Sequence, residues 1–333
     1  MLKIVFMGSD AIALPALEWL TTSGLAELVA VFTQPDRAVG RGQKVQANAI
    51  KLWAQARGLP VLQPARVGAA EQQQLAGFKP DLTLVMAYGH ILKQEVIDTP
   101  RLGTLNLHTS ILPQYRGASP IQTATACGDR ETGVTLMKLV LALDAGPVAD
   151  VERVAIAPLD TAAEVEAKLA QACVSLLARC LPSIAAGTQV FTPQDAGAAT
   201  FCRRLEKADG ALDFSVPATV LAARINGLNP WPGCSVEISG QPVKLGLADV
   251  CHTLYDKPAA PVAPGMVLGS DAEGLCVATG EGTLRLRKLQ RPGGRLLPGG
   301  EFLRGFPVAV GTVLPSHPMP PLVATKPFPH RRG

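Results

Sequence analysis

What most constrains this chain is an alternation that runs through more than its first half. Short apolar runs are separated by stretches in which apolar residues recur every three to four positions. Strands and helices that alternate in this way build βαβ units, and hence a mostly parallel sheet with helices on both faces. Residues 2–7 read as a first buried strand. Gly8-Ser9-Asp10 then turns the chain into a helical pattern over 11–22, with Ser9 or Asp10 available as N-cap. Further strands are expected at 28–33, 82–87, 103–108, 133–139 and 148–156, and helices at 45–57, 119–127 and 161–186. The expected fold is a Rossmann-like α/β domain, whose ligands bind outside the carboxyl ends of the strands.

At 333 residues the chain is long enough for a second domain. Gly, Thr, Pro and Gln replace the periodic pattern near 188–200, which sets a catalytic domain at 1–187 and a linker after it. From 201 to 306 short alternating segments such as SVEIS, QPVKLGLADV, LCVAT and TLRLRKL are separated by Gly and Pro, suggesting a small OB-like β-barrel. Residues 307–333 are rich in proline and lack periodicity, as expected of an extended or disordered tail. A content of 47% apolar and 17% charged residues excludes a disordered chain. No apolar run approaches the roughly 20 residues needed to cross a bilayer, and the opening lacks a signal-peptide pattern. Seven cysteines without a C-x-x-C pair read as reduced thiols of a cytoplasmic protein, with Cys173 and Cys180 at core spacing on a helix rather than at a metal.

The net charge of +4 is unevenly placed: residues 1–150 carry 13 basic and 12 acidic side chains, and residues 201–333 carry 15 and 10. Arg285, Arg287, Lys288, Arg291, Arg295 and Arg304 face one acid, Glu301, within a short stretch. Such a stretch suits phosphate binding or, equally, a solvated hairpin.

Asn106 and His108 are two apart on an expected strand, so both side chains leave one face at the end where an α/β sheet places ligands. Burying an amide or imidazole without a partner costs about 1 to 3 kcal/mol, so the pair is either satisfied within the core or in use.

The run Asn106-Leu107-His108-Thr109-Ser110-Ile111-Leu112-Pro113, with Arg116-Gly117 and Leu143-Asp144-Ala145-Gly146, resembles the formyltransferases that use 10-formyltetrahydrofolate. Their pattern is N-x-H, then S-[LI]-L-P, then an Asp about 36 residues after the His. FMGSDAIALPALEWL, TQPDRAVGRGQK, MAYGHIL, NPWPG and LQRPGGRLLPGGEFLRG extend the likeness over about residues 1 to 305, and several of them look like the methionyl-tRNA branch. The chain departs from the pattern at Gly8-Ser9-Asp10-Ala11-Ile12, where Gly-Thr-Pro-x-Phe is commoner, and at Val140 and Ala142, which stand where an acidic residue and a glycine are usual.

The resemblance implies a catalytic set of Asn106, His108 and Asp144. Formyl transfer to an amine passes through a tetrahedral species, which needs an oxyanion donor and routes for protons. Asn106 can donate without ionising, His108 can donate or carry a proton, and Asp144 can hold the His tautomer, assist deprotonation or contact a water. By the same resemblance Ser110, Ile111, Leu112 and Pro113 line the folate pocket, and Met86, Ala87, Tyr88, Gly89 and His90 offer backbone groups to the pterin edge. Arg37, Arg41 and Lys44, in a loop holding Gly40 and Gly42, are implied to meet the acceptor stem of the initiator methionyl-tRNA, and Arg285, Arg287, Lys288, Arg291 and Arg295 to meet its phosphates.

The triad names the chemistry and not the acceptor. Relatives with it formylate glycinamide ribonucleotide or a nucleotide-linked amino sugar, and a silent tRNA-binding relative is a further alternative. The basic loop and the second domain favour tRNA, whose recognition requires contacts over tens of ångströms. The expected protein is a cytoplasmic monomer that uses no metal and touches no membrane.

Overall fold

The computed structural model describes residues 1–39, 42, 44–252 and 262–329. They form two compact units. The first comprises Met1–Arg116, Gly133–Val154 and Glu166–Ala199; the second comprises Gly117–Thr132, Ala155–Val165 and the chain from Thr200 onward. The units therefore interleave along the chain, whereas a single cut at 187 assumes that they do not. The helix Pro120–Ala126, for example, gives Ala126 to the core of the second unit.

In the first unit a seven-stranded sheet has the order Val148–Ala155, Glu131–Lys138, Thr104–His108, Leu82–Met86, Leu2–Gly8, Ala26–Phe32, Val61–Leu62. Leu2–Gly8 is parallel to both neighbours and buries every side chain except Lys3, as a strand covered on two faces must. Thr104–His108 runs parallel to Leu82–Met86 and antiparallel to Glu131–Lys138, with Asn106 opposite Met137 and His108 opposite Thr135. The parallel strands thus end together at Gly8, Phe32, Met86 and His108, as the alternating pattern implies. Gly8 has to be glycine, because a Cβ there would collide with the Met86 carbonyl.

Asp10 caps the first helical turn by accepting from Ile12 N at 3.1 Å. The helix expected at 45–57 begins later. Lys44–Gln46 pairs with Arg37–Val39 as a short hairpin, and the helix Ala49–Gln55 starts after Asn48, whose Oδ1 accepts from Lys51 N at 3.0 Å. The helix Ala162–Ala185 buries Leu169, Cys173, Leu176, Cys180 and Ile184, so both cysteines lie in its apolar stripe.

The second unit is built on an antiparallel sheet of order Cys234–Ile238, Gln241–Cys251, Thr283–Gln290, Leu275–Ala278, Val267–Ser270, with Leu297–Pro298 also paired to Thr283–Gln290. Its core includes the inward Leu284, Leu286 and Leu289, and it gains the helix Ala218–Gly227, which buries Leu221 and Ile225. The alternating-strand reading had no place for that helix.

The described part of the tail, residues 307–329, is pinned to the second unit. Val323–Ala324 pairs with Phe201–Cys202, Met266 bridges Val313, and Arg224 Nη2 donates to Pro320 O at 2.9 Å. Leu314 and Leu322 are buried in the core, which corrects any reading of residues 307–329 as disordered. Among the described residues no helix is long and apolar enough to cross a membrane.

Candidate active site

Every residue of Thr104–His108 is buried, with Asn106 at 8% and His108 at 6% exposure at the strand's carboxyl end. The turn that follows is held by Thr135. Its Oγ1 donates to Ser110 O at 2.6 Å and accepts from Leu112 N at 3.1 Å. Ser110 Oγ donates to Gln114 O at 2.6 Å, Gln114 N donates to Ile111 O at 3.1 Å, and the Leu112–Pro113 peptide is cis. Ser110 and Leu112 are buried, whereas Ile111 and Pro113 are half-exposed beside them.

Tyr115 adopts a positive φ of 58°, and its carbonyl lies 3.0 Å from His108 Nε2. A carbonyl can only accept, so Nε2 carries the hydrogen and Nδ1 keeps the lone pair of the neutral ring. That Nδ1 lies 3.8 Å from Asp144 Oδ2. In its neutral form the ring thus turns toward a carboxylate the nitrogen that can take up a proton.

Asp144 itself adopts the left-handed conformation, φ 46°, while Ala142 does not. This loop therefore does not place Ala142 in the conformation that favours glycine; the strained position is Asp144. Gly146, two residues on, admits no Cβ, which would collide with the Lys138 carbonyl. Gln194 closes the turn: its Nε2 donates to Asp144 O and to Gly146 O, each at 2.8 Å. Its Oε1 accepts from Arg116 Nε at 3.2 Å and Nη2 at 2.7 Å. Burial pushes the Arg116 guanidinium below its ordinary pKa, and the charge of Asp144 opposes that push.

In the 86–90 segment the side chains of Met86 and Tyr88 point into the core, at 1% and 2% exposure, while Ala87 and Gly89 stand exposed at positive φ. Ala87 O accepts from Ser9 N at 3.3 Å, and Tyr88 O accepts from Gln34 Nε2 at 2.9 Å. Tyr88 and His90 meet edge to face at 4.8 Å, and Tyr88 Oη and His90 Nε2 are buried without a hydrogen-bond partner. Burial pushes the His90 pKa down, helped by Arg37 and opposed by a backbone bond to Pro64; burial pushes that of Tyr88 up.

The basic residues separate into two groups. Arg37 is exposed and donates to Gln34 Oε1 at 2.6 Å, Lys44 is exposed, and Arg41 lies outside the described residues. Lys288, Arg291 and Arg295 are also exposed. Arg285 and Arg287 are not in that class. Arg285 pairs with Asp249 at 2.6 Å, Asp271 at 3.1 Å and Glu273 at 2.6 Å, and Arg287 with Asp249 at 2.7 Å and Glu273 at 2.6 Å. The bond to Asp249 raises the Arg285 pKa against burial; burial pushes that of Arg287 down, but Asp249 and Glu273 together raise it. Two arginines held by three acids are poor phosphate ligands, and the expected basic surface contracts to the exposed residues. Asp271 also lies with Cys251 and Cys276 in the one cluster of three candidate metal ligands among the described residues, but its carboxylate is held by Arg285 and by the Glu273 and Gly274 amides.

Thr135, Gln34, Arg116 and Gln194 organise the site, and none stood out as a site residue by type or spacing. Arg116 alone lay within a recognisable motif, R-G after S-I-L-P.

Residues 2–181 match a family model described as formyl transferase, and residues 204–307 match the formyl transferase C-terminal domain. A methionyl-tRNA formyltransferase of Paracidovorax citrulli is 41% identical over 327 residues, covering 94% of this chain and 98% of that protein. One from Burkholderia thailandensis is 42% identical over 320 residues, covering 93% and 96%. Among solved structures, the N-formyltransferase from Helicobacter canadensis with folinic acid and dTDP-3-aminofucose has a TM-score of 0.64 at 17% identity, covering 86% of this chain and 99% of that one. HypX from Aquifex aeolicus in complex with tetrahydrofolic acid has a TM-score of 0.59 at 19% identity, covering 91% of this chain and 47% of that longer one. At such identities the two structures establish a shared fold.

Proposed function

The chain belongs to the formyl transferase family, and from that premise we propose that it moves the formyl group of 10-formyltetrahydrofolate onto the amino group of initiator methionyl-tRNA. The observation that carries the chemistry is the fixed ring of His108, with Nε2 on the Tyr115 carbonyl and Nδ1 turned to Asp144.

The attacking amine forms a C–N bond to the formyl carbon, and the carbonyl electron pair moves onto oxygen. Asn106 donates its amide hydrogen to that oxyanion. His108 Nδ1 takes the proton released by the attacking nitrogen, and Asp144 stabilises the resulting imidazolium. The ring then returns the proton to the departing N10 as the bond from formyl carbon to N10 breaks, leaving tetrahydrofolate and formylmethionyl-tRNA. Each proton and charge has a side chain assigned to it, so no metal enters the scheme. The folate lies against Ser110–Pro113 and the exposed backbone at Ala87 and Gly89, with Met86, Tyr88 and His90 supporting that backbone from below. Arg37, Arg41, Lys44, Lys288, Arg291 and Arg295 meet tRNA phosphates. The protein acts as a monomer in the cytoplasm.

The test is an assay of 10-formyltetrahydrofolate with charged initiator or elongator methionyl-tRNA, read as formylmethionine. Asn106→Ala, His108→Ala and Asp144→Asn should each lower kcat by about a hundredfold or more at unchanged melting temperature, the scale of a lost oxyanion donor or proton carrier. Near-normal turnover in any variant removes that residue from the scheme. Formylation of glycinamide ribonucleotide in place of the tRNA would overturn the acceptor.

A further inference from the structure

We propose that Gln194 is a positioning residue for formyl transfer, acting through the Asp144 turn; the proposal rests on the role given to Asp144 above. A primary amide offers two hydrogens and two lone pairs, and Gln194 uses all four on three residues. Both hydrogens go to the Asp144 and Gly146 carbonyls at 2.8 Å, and the oxygen receives Arg116 through Nε and Nη2 at 3.2 and 2.7 Å. These bonds reach 50, 48 and 78 residues along the chain.

The target needs such a clamp. A non-glycine residue in the left-handed region is strained and persists only where its surroundings dictate it. Asp144 is such a residue, and the three positions before it, Leu141, Ala142 and Leu143, are exposed. On the far side Gly146 sits so close to the Lys138 carbonyl that it cannot carry a side chain. Gln194 ties the carbonyls on both sides of Ala145 to one amide. Through Oε1 it also fixes the guanidinium of Arg116, which is 7% exposed and within electrostatic range of Asp144. One side chain thus sets both the peptide that carries the carboxylate and the cation near it.

Other side chains of similar size cannot replace it. Glutamate keeps the acceptor for Arg116 but offers no hydrogen to the two carbonyls and sets a negative charge against them. Methionine matches the length and forms none of the four bonds. An ångström of misplacement at a reacting group can cost a factor of about a hundred in rate.

The experiment measures kcat and KM for Gln194→Met and Gln194→Glu in the wild-type and Asp144→Asn backgrounds, with melting temperatures alongside. Both single variants are expected to lose about tenfold or more in kcat, with KM for donor and methionyl-tRNA within about twofold. In the Asp144→Asn background neither is expected to lose more, because a residue acting through Asp144 has nothing left to position. A kcat near wild type in both single variants overturns the proposal, and so does a full additive loss in the Asp144→Asn background. Should Gln194→Met fail to fold, Gln194→Glu carries the same comparison. Normal turnover of Asp144→Asn by itself overturns the role of Asp144, a result distinct from failure at Gln194.

Discussion

His90 enters the fold with its ring held uncharged. Its pKa lies below the ordinary value because burial disfavours the imidazolium, and the nearby Arg37 adds to the effect against a backbone bond to Pro64. The sign of the consequence follows from linkage. The unfolded chain takes up a proton near pH 6.5 and the folded one only at lower pH, so stability is full above that value and falls as pH drops toward the folded pKa. Comparing wild type with His90→Gln isolates the contribution of this ring. The melting-temperature advantage of wild type should shrink as pH is lowered from about 7.5 to about 5, and a flat or rising difference would show that the ring is not held neutral. At this scale Asn106 and His108 were legible because a two-residue spacing on a strand is a local signal. Gln194 was not, since its partners lie 48 to 78 residues away and a glutamine in a polar stretch reads as a linker residue. The tautomer of His108 was equally hidden, because it depends on which way the Tyr115 carbonyl points.

On the strand Thr283–Gln290, Leu284 and Leu286 face the core, so Arg285 and Arg287 share the opposite face. The sequence shows that alternation and suggests a row of available cations. It cannot show the register that sets Asp249 opposite Arg285, nor the turn that brings Asp271 and Glu273 to the same place. Burial pushes the Asp249 carboxyl up, but the bonds from Arg285 and Arg287 outweigh it and hold the group below its usual range. Removing Arg285 takes its charged hydrogen bonds from the partly buried Asp249 and Asp271, leaving Asp249 to Arg287 and Asp271 to the Glu273 and Gly274 amides, and charged hydrogen bonds of this kind contribute about 1.5 to 3 kcal/mol. Arg285→Ala should therefore lose about 2 kcal/mol of stability in denaturant melts, with KM for methionyl-tRNA held within about twofold in the folded protein. Arg291→Ala, an exposed residue just beyond the strand, should do the reverse. A large rise in KM for Arg285→Ala without destabilisation would return that arginine to the nucleic-acid surface. The helix expected at 45–57 was misjudged for a related reason: its apolar pattern continues through Val45, which is spent on the hairpin with Arg37–Val39.

Over the whole molecule a net charge of +4 is too small to attract a polyanion without uneven placement. Residues 201–333 hold 15 basic and 10 acidic side chains, and setting aside the two arginines and three acids of the ion-pair network leaves 13 and 7. Pairing therefore leaves the remainder more basic than composition suggests. The chain's two-part organisation was legible from its change of pattern near residue 200. Its interleaving was not, because local periodicity does not record which unit the segments Gly117–Thr132 and Ala155–Val165 pack into. If exposed cations displace counterions from tRNA, log(kcat/KM) for the tRNA falls linearly with log salt, and each lost phosphate contact reduces the slope by about 1. The triple variant Lys288→Ala, Arg291→Ala, Arg295→Ala should accordingly lower the slope by about 2 to 3, with KM for the folate unchanged. Arg285→Ala, whose charge is already balanced, should leave the slope as it is. A slope indifferent to the triple variant would mean that these three residues are solvated rather than bound, and the basic contacts would then have to come from Arg37 and Lys44 in the first unit.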